Sequence, residues 1–148
     1  MIRHAHGKDA SELAALHARC FDRPWSAHAF KDLLKLKTTL ALVAEDHSVD
    51  ALSLVARLSD EAEILTLAVN PDRRRTGLAR QLLQEAFANL KAAGTRRLFL
   101  EVSEHNSAAI ALYASFGFAV SGRRPNYYLE GTQRADAILM TRLLSSSL

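Results

Sequence analysis

The chain holds one cysteine, Cys20, in 148 residues. A lone thiol excludes an internal disulfide and any metal site built from several cysteines. Cys20 falls in a helical pattern, so it reads as a buried structural thiol rather than a nucleophile, for which no partner can be named. No apolar run approaches the roughly 20 residues of a membrane-spanning helix. The opening Met1-Ile2-Arg3-His4-Ala5-His6 lacks the long apolar stretch of a secretory signal. Cytoplasmic residence, with no membrane partner, is the resulting expectation. There are no internal repeats and no low-complexity linker, and the one biased stretch, Ser145-Ser146-Ser147, is expected to fray. Neither G-x-x-x-x-G-K-S/T nor G-x-G-x-x-G occurs, which argues against a P-loop and against a dinucleotide fold. A net charge of +3, without an aromatic–glycine pattern of the RNA-recognition type, is too weak to argue for direct nucleic-acid contact. His4 and His6 share a strand face, but two ligands without a third make no metal site, so no metal is expected.

What is present fits a single domain over residues 1–148, because 49% hydrophobic and 24% charged residues are ordinary for a globular chain of this size. Ile2 to His6 reads as a first strand. Leu13, Leu16 and Cys20 mark a helix over Asp9 to Cys20, with Asp9 or Ser11 as its cap. Arg23-Pro24-Trp25-Ser26 breaks it, and Ser26 can cap a second helix carrying Phe30, Leu33 and Leu34. Strands follow over Thr39–Glu45, Leu52–Leu58 and Glu63–Val69, separated by turns at Asp46–Asp50 and Ser59–Glu61. Leu78, Leu82, Ala86 and Leu90 define a central helix from about Gly77 to Ala93, ended by Gly94. Leu98–Val102 is a short strand, and Asn106 can cap a helix over Ser107–Phe116. A strand opens at Phe118–Val120, and Ala135–Leu143 supplies the last. The order predicts an α/β (α+β) layered domain with a mixed sheet of about seven strands and about four helices on its faces.

The most informative stretch is Arg73-Arg74-Arg75-Thr76-Gly77-Leu78-Ala79-Arg80, between an apolar strand and the central helix. The first N–H groups of a helix lack intrahelical partners and carry the positive end of its dipole. A phosphorylated ligand can accept those hydrogen bonds. Gly77 lets ligand oxygens approach the backbone, and Arg74, Arg75 and Arg80 add mobile positive charge. A solvated basic helix start without a ligand is the bland alternative.

Arg74-x-x-Gly77-x-Ala79 resembles the Q/R-x-x-G-x-G/A signature of GNAT acetyltransferases, and Asn106-x-x-Ala109-x-x-x-Tyr113-x-x-x-Gly117-Phe118 resembles their second cofactor motif. Pro24-Trp25-Ser26, Leu100-Glu101-Val102, Arg124-x-Asn126-Tyr127-Tyr128 and Asp136-Ala137-Ile138-x-Met140 bring the likeness nearest to the branch that acetylates the N-terminal amine of a small-subunit ribosomal protein. Ala79 stands where many relatives have a second glycine. Ala135 stands where relatives of this branch often carry a glutamate, which would alter substrate recognition if that carboxylate holds the substrate.

The resemblance implies acetyl-CoA as cofactor, released as CoA, held by Leu67, Ala68, Val69, Arg74, Arg75, Thr76, Gly77, Leu78, Ala79, Arg80, Asn106 and Tyr113. It implies a ribosomal protein N-terminus as partner, with Tyr127, Tyr128 and Asp136 lining the peptide groove. Glu101 is the expected base, being the one acidic residue in an apolar strand segment; the alternative is a strand-end carboxylate paired with Arg96 or Arg97. Tyr113 is the expected acid or hydrogen-bond donor, unless it only packs the core beside Ile110. Asn106 can cap its helix and still face the cofactor. An α-amine has a pKa near 7.7–8.0 against roughly 10.4 for lysine, so neutralising lysine near pH 7 costs about 3 kcal/mol more. That favours an N-terminal amine as acceptor. A GNAT enzyme for a small-molecule amine and a basic ribonucleoprotein-docking module without turnover are the competing readings. The sequence carries no signal for oligomeric state.

Overall fold

Residues 1–144 are described by a computed structural model; Ser145-Ser146-Ser147, expected to fray, lies outside the described residues. The elements in chain order are β1 (Ile2–His4), α1 (Ala10–Cys20), α2 (Ala27–Leu34), β2 (Thr39–Glu45), β3 (Val49–Leu58), β4 (Glu61–Val69), α3 (Leu78–Ala92), β5 (Arg97–Ser103), α4 (Ser107–Ser115), β6 (Ala119–Glu130) and β7 (Gln133–Leu143). The strands form one mixed sheet in the order β1-β2-β3-β4-β5-β7-β6. All neighbours are antiparallel except β4 and β5. That parallel pair needs a crossover, and α3 supplies it. Among the described residues no helix is long and apolar enough to cross a membrane.

Strand alternation sends neighbouring residues to opposite faces, and the helices cover both. On one face, Leu13 and Leu16 of α1 and Phe30 of α2 pack on Val43, Leu52, Leu54 and Ala68. On the other, Leu83 and Leu90 of α3 and Tyr113 of α4 pack on Leu98, Leu100, Val102, Ile138 and Met140. Leu82 and Ala86 of α3 extend that layer over Leu42, Ala44 and Ala51. Leu13, Leu82, Leu83 and Leu90 are fully enclosed, and each contributes roughly 1.5–3 kcal/mol by burial.

Several boundaries and one cap differ from the sequence reading: β1 ends at His4, so His6 lies outside the strand it was expected to share with His4, and β7 begins at Gln133 rather than Ala135. The turn before β3 shrinks to Asp46–Ser48, because Val49 is buried and its N–H donates to Glu12 Oε2 at 2.9 Å. β4 begins at Glu61, paired with Leu58, so only Ser59 and Asp60 turn. β6 is a twelve-residue edge strand rather than a short one. Asp9 stands at the α1 N-cap, but its carboxylate accepts from Arg3 at 2.9 and 3.0 Å and from the His6 N–H at 2.7 Å instead of capping α1. Ser26 caps α2 as expected, accepting from the Ala29 N–H at 3.1 Å.

Candidate active site

The site begins where β4 leaves β5. Their register runs from Glu61↔Arg97 to Ile64↔Leu100 and stops, although the strands continue to Val69 and Ser103. The cause is local to β4. Opposite Leu54 and Val55 of β3 stand Thr66 and Ile64, so Leu65 is an extra residue, a β-bulge. Before the bulge, Ala62 and Ile64 face α3 and α4; after it, Ala68 faces α1. The bulge bends β4 away from β5 and opens a cleft. Leu67, Ala68 and Val69 line it with backbone that has no β5 partner. A buried histidine holds this bend: His17 Nε2 meets Thr66 Oγ1 at 3.0 Å, and His17 Nδ1 accepts from the Trp25 N–H at 3.1 Å. An accepting Nδ1 puts the ring in its neutral form, and burial pushes the imidazole down to about 4. Cys20 is half-buried rather than buried, and its thiol donates to the Val69 carbonyl at 3.3 Å.

Beyond β4, Asn70 caps a 3₁₀ turn over Pro71–Arg73. Arg73 is anchored to Asp50 at 3.1 Å, which fixes the base of the loop. Thr76 Oγ1 donates to the Arg73 carbonyl and closes the turn. Arg74, Arg75, Thr76 and Gly77 are exposed. Gly77 is the α3 N-cap in the left-handed conformation (φ 85°), and a Cβ there would meet only Gln81 Nε2 at 3.9 Å. Helical hydrogen bonding starts with the Gln81 N–H to the Gly77 carbonyl at 3.0 Å. The N–H groups of Leu78, Ala79 and Arg80 therefore point out of the helix, with no acceptor among the described residues. Three free donors, the helix dipole, an open glycine and two exposed arginines fit a diphosphate. Arg80 departs from the expectation of mobile charge: it lies 5.1 Å from the Phe116 ring centroid and donates to Ser115 Oγ at 3.2 Å, docked on α4.

Across the cleft stands Glu101, one residue past the last β4–β5 pair. Leu98, Leu100 and Val102 enter the α3–α4 core, so Phe99 and Glu101 face the other side of the sheet. Of the alternative partners, Arg97 pairs with Glu61 at 2.7 Å, and neither Arg96 nor Arg97 forms an ion pair with Glu101. Glu101 Oε1 instead meets Arg124 Nη2 at 3.1 Å, while Oε2 is buried with no donor among the described residues. Glu63, opposite Phe99 in register, is a second carboxylate in reach; burial and then the Glu101 charge push its pKa up. Neither Glu63 nor the Arg124 contact was read from the sequence. Both depend on strand register, and the only local signal was an acidic residue inside the apolar β4.

Tyr113 is buried on α4, its ring edge-on to Phe118 at 5.6 Å, and burial pushes the phenol above its ordinary value. Asn106 caps α4, its Oδ1 accepting from the Ala109 N–H at 3.1 Å, a contact worth about 1 kcal/mol. Tyr127 is half-exposed and Tyr128 half-buried, with ring centroids 5.1 Å apart. Burial and then Glu101 push the Tyr128 phenol up to about 12. Here β6 is irregular: Arg124 pairs with Ala137 and Tyr128 with Ala135, so Pro125, Asn126 and Tyr127 together oppose Asp136. Asp136 holds this loop-out. Its Oδ1 accepts from the Asn126 N–H at 2.9 Å and its Oδ2 from Arg123 at 2.6 Å, and these contacts keep its carboxyl below the ordinary range. The Asp136 carboxylate is thus committed to shaping the segment that carries the tyrosines. Ala135, which stands where relatives of this branch often carry a glutamate, is fully buried. Among the described residues no group of three His, Cys, Asp or Glu is arranged to hold a metal ion.

Comparison with known proteins bears on the family and the fold. A family model described as the acetyltransferase (GNAT) family matches residues 10–118. The chain is 36% identical over 122 residues, 82% of each sequence, to ribosomal protein bS18-alanine N-acetyltransferase of Escherichia coli strain K12. It is 38% identical over 127 residues, again 82% of each, to the protein of that name in Salmonella typhimurium. The crystal structure of the ribosomal-protein-S18-alanine N-acetyltransferase from Escherichia coli superposes with a TM-score of 0.93, covering 99% of this chain and 95% of that one at 32% identity.

Proposed function

The chain belongs to the GNAT family of acetyltransferases, and on that premise we propose that it acetylates the N-terminal α-amine of a ribosomal protein beginning with alanine, in the cytoplasm. The family's acyl donor is acetyl-CoA, which supplies an acetyl group activated as a thioester. The N–H groups of Leu78, Ala79 and Arg80, the open face of Gly77, and Arg74 and Arg75 would hold its diphosphate. Leu67, Ala68 and Val69 would orient its arm through the unpaired edge of β4. Main-chain donors fixed in such a cleft, away from bulk water, can also polarise a carbonyl.

The observation that carries the reading is the parting of β4 from β5 at Ile64 and Leu100, which sets Glu101 at the cleft. An α-ammonium must lose a proton before its nitrogen can attack, and Glu101 takes that proton directly or through a water. Tyr113 keeps its own proton, since burial raises the phenol, and acts as a hydrogen-bond donor rather than a strong acid. Tyr127 and Tyr128 flank the acceptor. The choice of an N-terminal alanine is supported by the identity to the two bS18-alanine enzymes over four-fifths of the chain.

The test is acetyl transfer followed by mass spectrometry, on an Ala-initiated ribosomal-protein peptide and on a panel of small amines. Transfer to the peptide α-amine is the expected result. Transfer only to small amines would overturn the assignment. Absence of acetyl-CoA binding in calorimetry would leave the ribonucleoprotein-docking reading standing instead.

A further inference from the structure

The protein answers the charge of its central carboxylate with one of its own side chains. Glu101 is mostly enclosed, with 18% of its side chain exposed, yet the cation on its Oε1 is the 54%-exposed Arg124 at 3.1 Å. Arg124 does not come from the rigid core. It immediately precedes the three residues of β6 that loop out opposite Asp136, with Asn126 at φ 55°. Its guanidinium also lies 5.1 Å from the centroid of the half-exposed Tyr127 ring, a second resting place on the solvent side. The other titratable groups facing this point are Glu63 from β4 and Tyr128 from β6, and the charges of both Glu101 and Arg124 bear on each of them. From β7 the register partner of Glu101 is Leu139, which is apolar.

An acceptor α-amine approaches as an ammonium and needs Glu101, whose Oε1 the guanidinium occupies and whose Oε2 is buried. We propose that Arg124 is a displaceable counter-ion: it pairs with Glu101 until the acceptor's ammonium replaces it, and it returns once acetylation has removed the charge from that nitrogen. Arg124 is thus a positioning residue that selects for a charged amine and against the neutral amide product. Glu63 adds negative charge to the same side of the cleft and favours the exchange. The proposal rests on the reading of the protein as an α-amine acetyltransferase.

The experiment measures calorimetric binding of two peptides to the CoA-bound protein: the Ala-initiated peptide with a free N-terminus, and the same peptide already N-acetylated. Arg124→Met keeps an unbranched side chain of similar reach and removes the charge. It should tighten the free-amine peptide about twofold to fivefold, the scale of a partly exposed ion pair, and leave the acetylated peptide unchanged. Arg124→Lys should restore the wild-type difference between the two peptides. Equal weakening of both peptides in Arg124→Met, or no change in either, would overturn the proposal, since a side chain that only shapes the groove does not distinguish an ammonium from an amide. A wild-type protein that binds neither peptide would instead overturn the peptide-acceptor reading itself.

Discussion

Replacing Gly77 by alanine isolates the role of the loop before α3. Gly77 has φ 85°, and a Cβ there would meet nothing nearer than Gln81 Nε2 at 3.9 Å. The cost of Gly77→Ala is therefore backbone strain without a clash, about 1–2 kcal/mol for a non-glycine residue in the left-handed region. Where that cost shows depends on what holds the loop. Residues 74–77 are exposed, so in the free protein an alanine loop can relax, and ligand binding must restore the strained shape. The cost then falls on CoA affinity, a loss of about 5- to 30-fold at 1.4 kcal/mol per factor of ten. Gly94 is the control, with φ 88° and nothing within 4 Å of its Cβ position. It is locked at the end of α3 between the Gly94 N–H to Lys91 carbonyl bond at 3.1 Å and the Thr95 N–H to Leu90 carbonyl bond at 3.0 Å. The same strain in Gly94→Ala should lower the melting temperature by roughly 2–8 °C and leave CoA affinity alone. Calorimetry with CoA and thermal melts of both variants decide the matter. A Gly77→Ala protein that binds CoA as tightly as the wild type would refute the assignment of this loop as the diphosphate cradle.

Two further predictions concern proton transfer and the bend in β4. Glu101→Gln should lower kcat by about 10²- to 10⁴-fold, the usual span for removing a general base, with CoA affinity nearly intact; equal loss of both in kinetics and calorimetry would make Glu101 structural. The folded protein holds the His17 imidazole at about 4 against an ordinary 6.5, so the unfolded chain binds a proton that the folded one refuses. The His17 contribution to stability is complete above pH 6.5 and falls as the pH drops toward 4, by about 2 kcal/mol between pH 7 and pH 5. Thermal melts at those two pH values should show the wild type weakened at pH 5 and His17→Gln, which cannot be protonated there, with a flatter response; parallel slopes would count against it.

The layers and the helix start were legible because both depend on short-range pattern. Leu82, Ala86 and Leu90 repeat at helical spacing and do face the sheet, and Gly77 does sit at the N-cap of α3. The motifs that carry the family resemblance are each short stretches of chain, and the described residues form the mixed seven-stranded sheet with four α-helices that the element order predicts. What was not legible depends on register. The bulge at Leu65, which opens the cleft, leaves no mark in a run of apolar residues. The partner of Glu101 lies 23 positions away on an edge strand whose residues, mostly exposed, show no alternation. The family resemblance implies a groove role for Asp136, but its neighbours Asn126 and Arg123 come into reach only because β6 loops out opposite it. Val49 was assigned to a turn because Asp46, Ser48 and Asp50 surround it; the donor–acceptor pair it forms with Glu12 of α1 overrides that local preference.

A crystal structure of the protein with CoA and an Ala-initiated peptide tests directly where the diphosphate sits. The expected result places diphosphate oxygens within hydrogen-bonding distance of the Leu78, Ala79 and Arg80 N–H groups, with the peptide amine on the Glu101 side of the cleft between β4 and β5. A complex in which protein atoms cap the start of α3 while the nucleotide lies elsewhere would contradict it.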